Sequence, residues 1–175
     1  MAKRSEKGLV HIYTGSGKGK TTAALGLALR AAGSGLKVCI HQFMKNGLYG
    51  EARAIAKIKN IRLVQCGRGC LIKGKPKVMD LECAARGLAK ARKDVKSGRY
   101  DLVVLDEANI ALKLGLIEKE DIIDMIKHKR RKVELVLTGR YCPRSLLKYA
   151  DLVTEMKKIK HPFDNGVAAR RGIEF

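Results

Sequence analysis

Early in the chain, Thr14-Gly-Ser-Gly-Lys-Gly-Lys-Thr-Thr22 gathers glycines, hydroxyls and ammonium groups within a few residues. This is chemistry for holding an anion. Gly15, Gly17 and Gly19, with Ser16 and Lys18 between them, let backbone N–H groups turn inward around phosphate oxygens. Lys20 supplies a point charge for the outer phosphates, and Thr21, followed by Thr22, offers a hard hydroxyl oxygen to Mg²⁺. The pattern G-x-x-x-x-G-K-[ST] fits in its second half, Gly19-Lys20-Thr21, while Thr14 stands where its first glycine belongs. The competing reading is a glycine-rich turn beside a solvated lysine.

Two further groups match this loop. Leu102-Val-Val-Leu105 is a continuous apolar run that ends in Asp106 and Glu107. Carboxylates at the C-terminal end of a buried strand lie where open α/β sheets bind ligands, and they can hold the Mg²⁺ that bridges phosphates. Arg140 follows the apolar run Val133 to Leu137 and should reach the same edge, either as a phosphate clamp or as an ordinary surface arginine. Of the four histidines, His11 and His41 fall in strands and read as packed, His128 belongs to a basic run, and His161 in the tail is the candidate for function.

The elements needed to position these groups are visible in the pattern. Val10 to Thr14 reads as a strand leading into the loop. The helix from Lys20 to about Ala32 is apolar nearly all round and should be buried. Strands are expected at Lys37 to Met44, Ile61 to Cys66, Leu102 to Glu107, Val133 to Leu137 and Leu152 to Met156. Helices are expected at Glu51 to Lys57, Val78 to Lys96, Glu118 to Lys129 and Pro143 to Tyr149. In the longest of these, Val78, Leu81, Ala85, Leu88, Ala91 and Val95 share one face. The tail from Lys157 to Phe175 shows little periodicity. Strands alternating with helices predict one doubly wound α/β domain, a mostly parallel sheet flanked by helices, over residues 1–175.

Composition sets the limits. Across 175 residues, 46% are apolar and 31% charged, the balance of a globular chain. No apolar run is long enough to span a membrane. The charged segment Met1 to Lys7 leads straight into the first strand, which predicts no signal peptide and a cytoplasmic protein. The five cysteines are irregularly spaced, as expected of plain thiols. The formal charge of +20 suits an anionic partner. Its densest run, Lys127-His-Lys-Arg-Arg-Lys132, has no interleaved aromatics for base stacking, which fits a solvated helix end better than a specific nucleic-acid site.

The residues alone imply a nucleotide protein and do not name its reaction. The loop, the Val103-Val-Leu-Asp-Glu107 strand, Leu137-Thr-Gly-Arg140 and the tail together resemble the P-loop-type ATP:corrinoid adenosyltransferases. The tail is the most specific part: Ala150-Asp-Leu-Val-Thr-Glu-Met156, Lys160-His-Pro-Phe-Asp164, Gly166 and Arg171-Gly-Ile-Glu-Phe175. The resemblance implies a RecA-like fold, a homodimer, and transfer of the 5′-deoxyadenosyl group of ATP to the reduced cobalt of a corrinoid. It also implies triphosphate held by Gly15 to Thr22, Mg²⁺ bound by Thr21 and Glu107 with Asp106 beside them, catalytic roles for Lys20 and Glu107, and a reductase that delivers electrons to the cobalt. Members commonly carry a Phe-x-Trp pair after the third strand, thought to displace the lower cobalt ligand. Here that stretch is Cys70-Leu71-Ile72, and an aromatic common in the preceding loop is Leu48, with Tyr49 beside it. The corrinoid is therefore expected on aliphatic contacts around Leu71 and Ile72, with Tyr49 or Phe163 as its aromatic neighbours. Two other classes stay open: a RecA-like NTPase that binds nucleic acid, suggested by the charge, and a small-molecule kinase with the same loop.

Overall fold

The computed structural model describes residues 7–69, 72 and 74–174. Among the described residues, six strands form one parallel sheet: β1 (Val10–Thr14), β2 (Val38–Gln42), β3 (Ile61–Gln65), β4 (Leu102–Asp106), β5 (Glu134–Thr138) and β6 (Leu152–Glu155). Their spatial order is β3-β2-β4-β5-β1-β6. The helices are α1 (Lys20–Gly33), α2 (Gly50–Ile55), α3 (Val78–Ser97), α4 (Ala108–Lys113), α5 (Lys119–His128) and α6 (Arg144–Leu147). The expected α/β class and parallel sheet are thus present.

Strand alternation divides the core into two layers. Val38, Ile40, Leu102, Val104 and Val136 meet α1. Cys39, Val103, Leu105, Leu135 and Leu137 meet the layer built from α3, α4 and α5. β2 and β4 are buried along their whole length, which explains the apolar runs Val38–Ile40 and Leu102–Leu105 that open them.

Two expected faces are corrected. In α1 Ala24, Ala28, Ala31 and Ala32 are buried against the sheet, Leu25 and Leu27 pack partly buried beside them, and Leu29 on the far side is 57% exposed. Small alanines let the helix lie close, so its apolar look overstates its burial. In α3 the buried face is Asp80, Ala84, Gly87, Leu88, Ala91, Asp94 and Val95, while Val78, Leu81 and Ala85 are turned outward. Apolarity did not mark this face because it carries two aspartates with dedicated partners. Asp80 accepts from the Lys77 N–H at 2.9 Å and pairs with Arg68 at 3.4 Å, and Asp94 meets His41 at 3.1 Å.

Element ends also differ. β2 stops at Gln42, not Met44, and β4 stops at Asp106, because Glu107 adopts a left-handed conformation (φ 60°). That turn opens α4, a helix the sequence pattern did not predict. The tail forms a short 3₁₀ turn, Pro162–Asn165, in which the His161 side chain accepts the Phe163 N–H at 3.1 Å. The basic run is partly structural: Lys129 Nζ donates to the carbonyls of Gly8 (2.5 Å) and Val133 (2.9 Å).

Candidate active site

The glycine loop joins β1 to α1 at the C-terminal edge of the sheet. Gly15 and Gly19 have φ of 100° and 118°, a region that favours glycine. Gly15 and Gly17 are required for a second reason. The backbone after β6 runs directly behind the loop, and a Cβ on Gly17 would lie 2.8 Å from the carbonyl oxygens of Met156 and Lys157. The Gly17 N–H donates to Met156 O at 2.6 Å, so the tail supports the loop from behind. No side chain caps the start of α1 and no acid lies in its first turn. Its leading N–H groups are therefore a site for an anion.

Lys20 lines the cleft, yet it is only 7% exposed. Its Nζ folds back onto Gly17 O at 2.5 Å. Burial first, then the nearby charge of Arg140, lowers its pKa. An ammonium held this way is partly stripped of water, which strengthens its pull on any phosphate that enters.

The carboxylates sit opposite the loop. Asp106 is fully buried behind the cleft. Its Oδ1 accepts from the hydroxyls of Thr21 and Thr138, each at 2.8 Å, and its Oδ2 accepts from Gln42 Nε2 at 3.2 Å. Glu107, whose N–H donates to Thr138 Oγ1 at 3.0 Å, faces the cleft. Burial first and Asp106 second push its pKa up, against the charges of Lys20, Lys45 and Arg140. A left-handed non-glycine residue at a strand end is a strained position of the kind found at functional sites.

A cleft of about 520 Å³ brings Gly17, Lys18, Gly19, Lys20, Thr21, Thr22, Glu107 and Arg140 together. Gly15 and Ser16 face away from it: Gly15 packs on Met156, and Ser16 Oγ accepts the Lys158 N–H at 3.4 Å. The opposite wall holds two residues the sequence pattern did not single out, Lys45 and Glu51, paired at 2.6 Å. Their approach depends on the turns around Gly47 and Gly50, which no periodicity reveals. The tail closes the cleft with His161, Gly172, Ile173 and Glu174. Lys18 Nζ donates to Ile173 O at 3.1 Å and to Glu174 Oε1 at 2.9 Å, so the last residues are strapped over the loop.

A family model described as ATP:corrinoid adenosyltransferase BtuR/CobO/CobP matches residues 6–175. The chain belongs to that family. The corrinoid adenosyltransferase of a Sinorhizobium species is 36% identical over 177 residues, covering 99% of this chain and 83% of the relative. That of Escherichia coli K12 is 30% identical over 172 residues, covering 98% and 88%. That of Pseudomonas aeruginosa is 33% identical over 174 residues, covering 98% and 86%. Among solved structures, a KaiC-like protein of Pyrococcus horikoshii superposes with a TM-score of 0.59 at 17% identity, covering 88% of this chain and 74% of that one, which bears out the RecA-like P-loop fold. Adenosyltransferase chemistry on a corrinoid, in cobalamin synthesis, follows from the family.

On the corrinoid side of an adenosyltransferase, Cys70 and Leu71 fall outside the described residues. Ile72 is partly buried and packs on the core beside Phe43 and Met44. Leu48 is 76% exposed. It lines a second hollow of about 260 Å³ with Tyr49, Gly50, Arg53, Arg171 and Gly172, next to the nucleotide cleft. Phe163 is exposed on the tail.

Proposed function

We propose that this chain binds ATP across Gly17 to Thr22 and passes its 5′-deoxyadenosyl group to a reduced corrinoid, releasing triphosphate. The observation that carries this reading is the convergence of Lys20, Glu107 and Arg140 on one cleft that the adenosyltransferase-type tail closes. The nucleophilic cobalt attacks C5′ of the ribose, the C5′–O bond breaks, and its electron pair leaves on the triphosphate. No protein nucleophile is required, because the corrinoid carries that role. The protein's part is to hold the triphosphate and stabilise the charge that grows on it. Loop N–H groups, Lys20 and Arg140 are placed for that, with Lys18 and Lys45 at the sides.

Mg²⁺ fits the residues present. The donor set of Thr21, Asp106 and Glu107 is all oxygen, as a hard cation prefers. Burial first, and the neighbouring Asp106 second, raise the pKa of Glu107, and a bound cation would favour its charged form. Bound there, the ion would neutralise charge on the phosphates and their leaving oxygens. Thr21 and Glu107 would hold it, with Asp106 orienting the Thr21 hydroxyl.

The chain acts as one unit over its full length, as a cytoplasmic homodimer, with a reductase that supplies electrons to the cobalt. The homodimer and the reductase rest on the family resemblance, and the single unit and the cytoplasmic setting on the sequence pattern. Among the described residues, no helix is long and apolar enough to cross a membrane, and the four described cysteines are free. The test is an anaerobic assay with ATP and chemically reduced cobalamin. Growth of cobalt–carbon absorbance supports the reading, and its absence at full ATP occupancy overturns it.

A further inference from the structure

On the α3 side of the sheet, away from the nucleotide cleft, three side chains of different chemistry meet in the core. Cys39 and His41 point from β2 toward α3, and Asp94 points back from α3. Cys39 Sγ lies 3.4 Å from His41 Nε2 and 3.6 Å from Asp94 Oδ2, and Nε2 lies 3.1 Å from Oδ2. Cys39 and His41 are fully buried, and Asp94 is 9% exposed. At the matching positions of β4, Val103 and Leu105 are plain hydrocarbon. A sulfur, a nitrogen and an oxygen converge where the fold elsewhere uses apolar packing.

We propose that Cys39, His41 and Asp94 form a structural site for a divalent transition-metal ion, with Zn²⁺ as the natural match. The triangle has the right size. Zinc bonds of about 2.0–2.3 Å in tetrahedral geometry place S, N and O ligands about 3.4–3.6 Å apart. The observed sides fall between 3.1 and 3.6 Å. The donor set of thiolate, imidazole and carboxylate suits a borderline-soft cation and excludes Mg²⁺ or Ca²⁺. Two anionic ligands would balance the ion's charge, and the cations Arg62 and Lys90 that face the cluster from β3 and α3 then meet a neutral centre.

The ion would clamp β2 to α3. It would act one residue from Gln42, whose amide donates to the buried Asp106. Its role is therefore in stability, and its test does not need turnover. The full-length, reduced, corrinoid-free protein is titrated with Co²⁺ alone and then with Zn²⁺ alone. One Co²⁺ per chain should bind with a thiolate-to-cobalt charge-transfer band, and Zn²⁺ should displace it and raise the melting temperature. Cys39→Ser should lose the band while keeping its circular dichroism. Should that variant not fold, Asp94→Asn gives the second reading: a loss of roughly tenfold or more in Co²⁺ affinity, since even outer partners of metal ligands cost that much. Absence of the band in the parent protein overturns the proposal. So does a band undiminished in either variant, which would place the ion on the other thiols.

Discussion

The Thr21 hydroxyl donates to Asp106 Oδ1 across 2.8 Å, joining the first turn of α1 to the end of β4 over the intervening β5. Thr138 on β5 donates to the same oxygen at the same distance, so one buried carboxylate ties three elements together at the cleft. Removing it leaves Thr21, Thr138 and Gln42 donors without their acceptor. Asp106→Ala should cost about 2–3 kcal/mol of stability, because a buried donor left unpaired is expensive. Urea unfolding reads this directly. An unchanged midpoint would show that the carboxylate does not hold the junction.

Lys20→Ala should lower kcat by roughly 100-fold or more, the scale of one lost electrostatic contact to developing charge. Because the ammonium is buried on Gly17 O, the variant should also melt slightly lower. Lys20→Arg should not restore activity, since a planar guanidinium does not reproduce the compact point charge that the ammonium presents at Gly17 O. Steady-state kinetics on both variants checks this, and near-parental turnover in either contradicts the role given to Lys20.

Much of this site was legible in the sequence because it is local. The strand, glycines and helix that build the loop are contiguous, and the apolar β4 run announces the carboxylates at its end. The tail was legible only through resemblance, since Lys18–Glu174 joins residues 156 apart and follows no period. Lys45 and α4 were not legible. The first depends on loop turns, and the second on a left-handed Glu107 that no side-chain pattern signals. The buried face of α3 was misread for a related reason: Asp80 and Asp94 look like solvent positions until their partners on other elements are known.

Glu107 holds a backbone conformation that costs a non-glycine residue about 1–2 kcal/mol. Glu107→Gly should relieve it, so the variant should unfold no earlier than the parent, and up to about 1 kcal/mol later, while losing Mg²⁺-dependent turnover. Thermal unfolding paired with activity separates the two effects. A less stable variant, or one with full activity, would contradict the assignment of strain to function.

Glu134 gives a pH dependence with a definite sign. Burial alone would raise its pKa. The His11 contact at 2.6 Å, the Leu9 N–H at 2.7 Å and the charge of Lys129 outweigh that and hold it low. A carboxyl with a depressed folded pKa stabilises fully above its unfolded value, about 4.3, and the contribution is lost as pH falls through the folded value. The stability gap between parent and Glu134→Gln should therefore close as the pH falls into acid. A gap that widens on acidification would reverse the sign and refute the linkage.

The most direct test of the central claim follows the phosphorus. ATP is turned over anaerobically with reduced corrinoid, and the products are read by phosphorus NMR alongside the optical spectrum. If the cleft holds ATP for attack at C5′, intact triphosphate appears in step with cobalt–carbon absorbance, and neither forms without corrinoid. ADP and free phosphate, formed whether or not corrinoid is present, would mean that the same loop serves phosphoryl transfer instead.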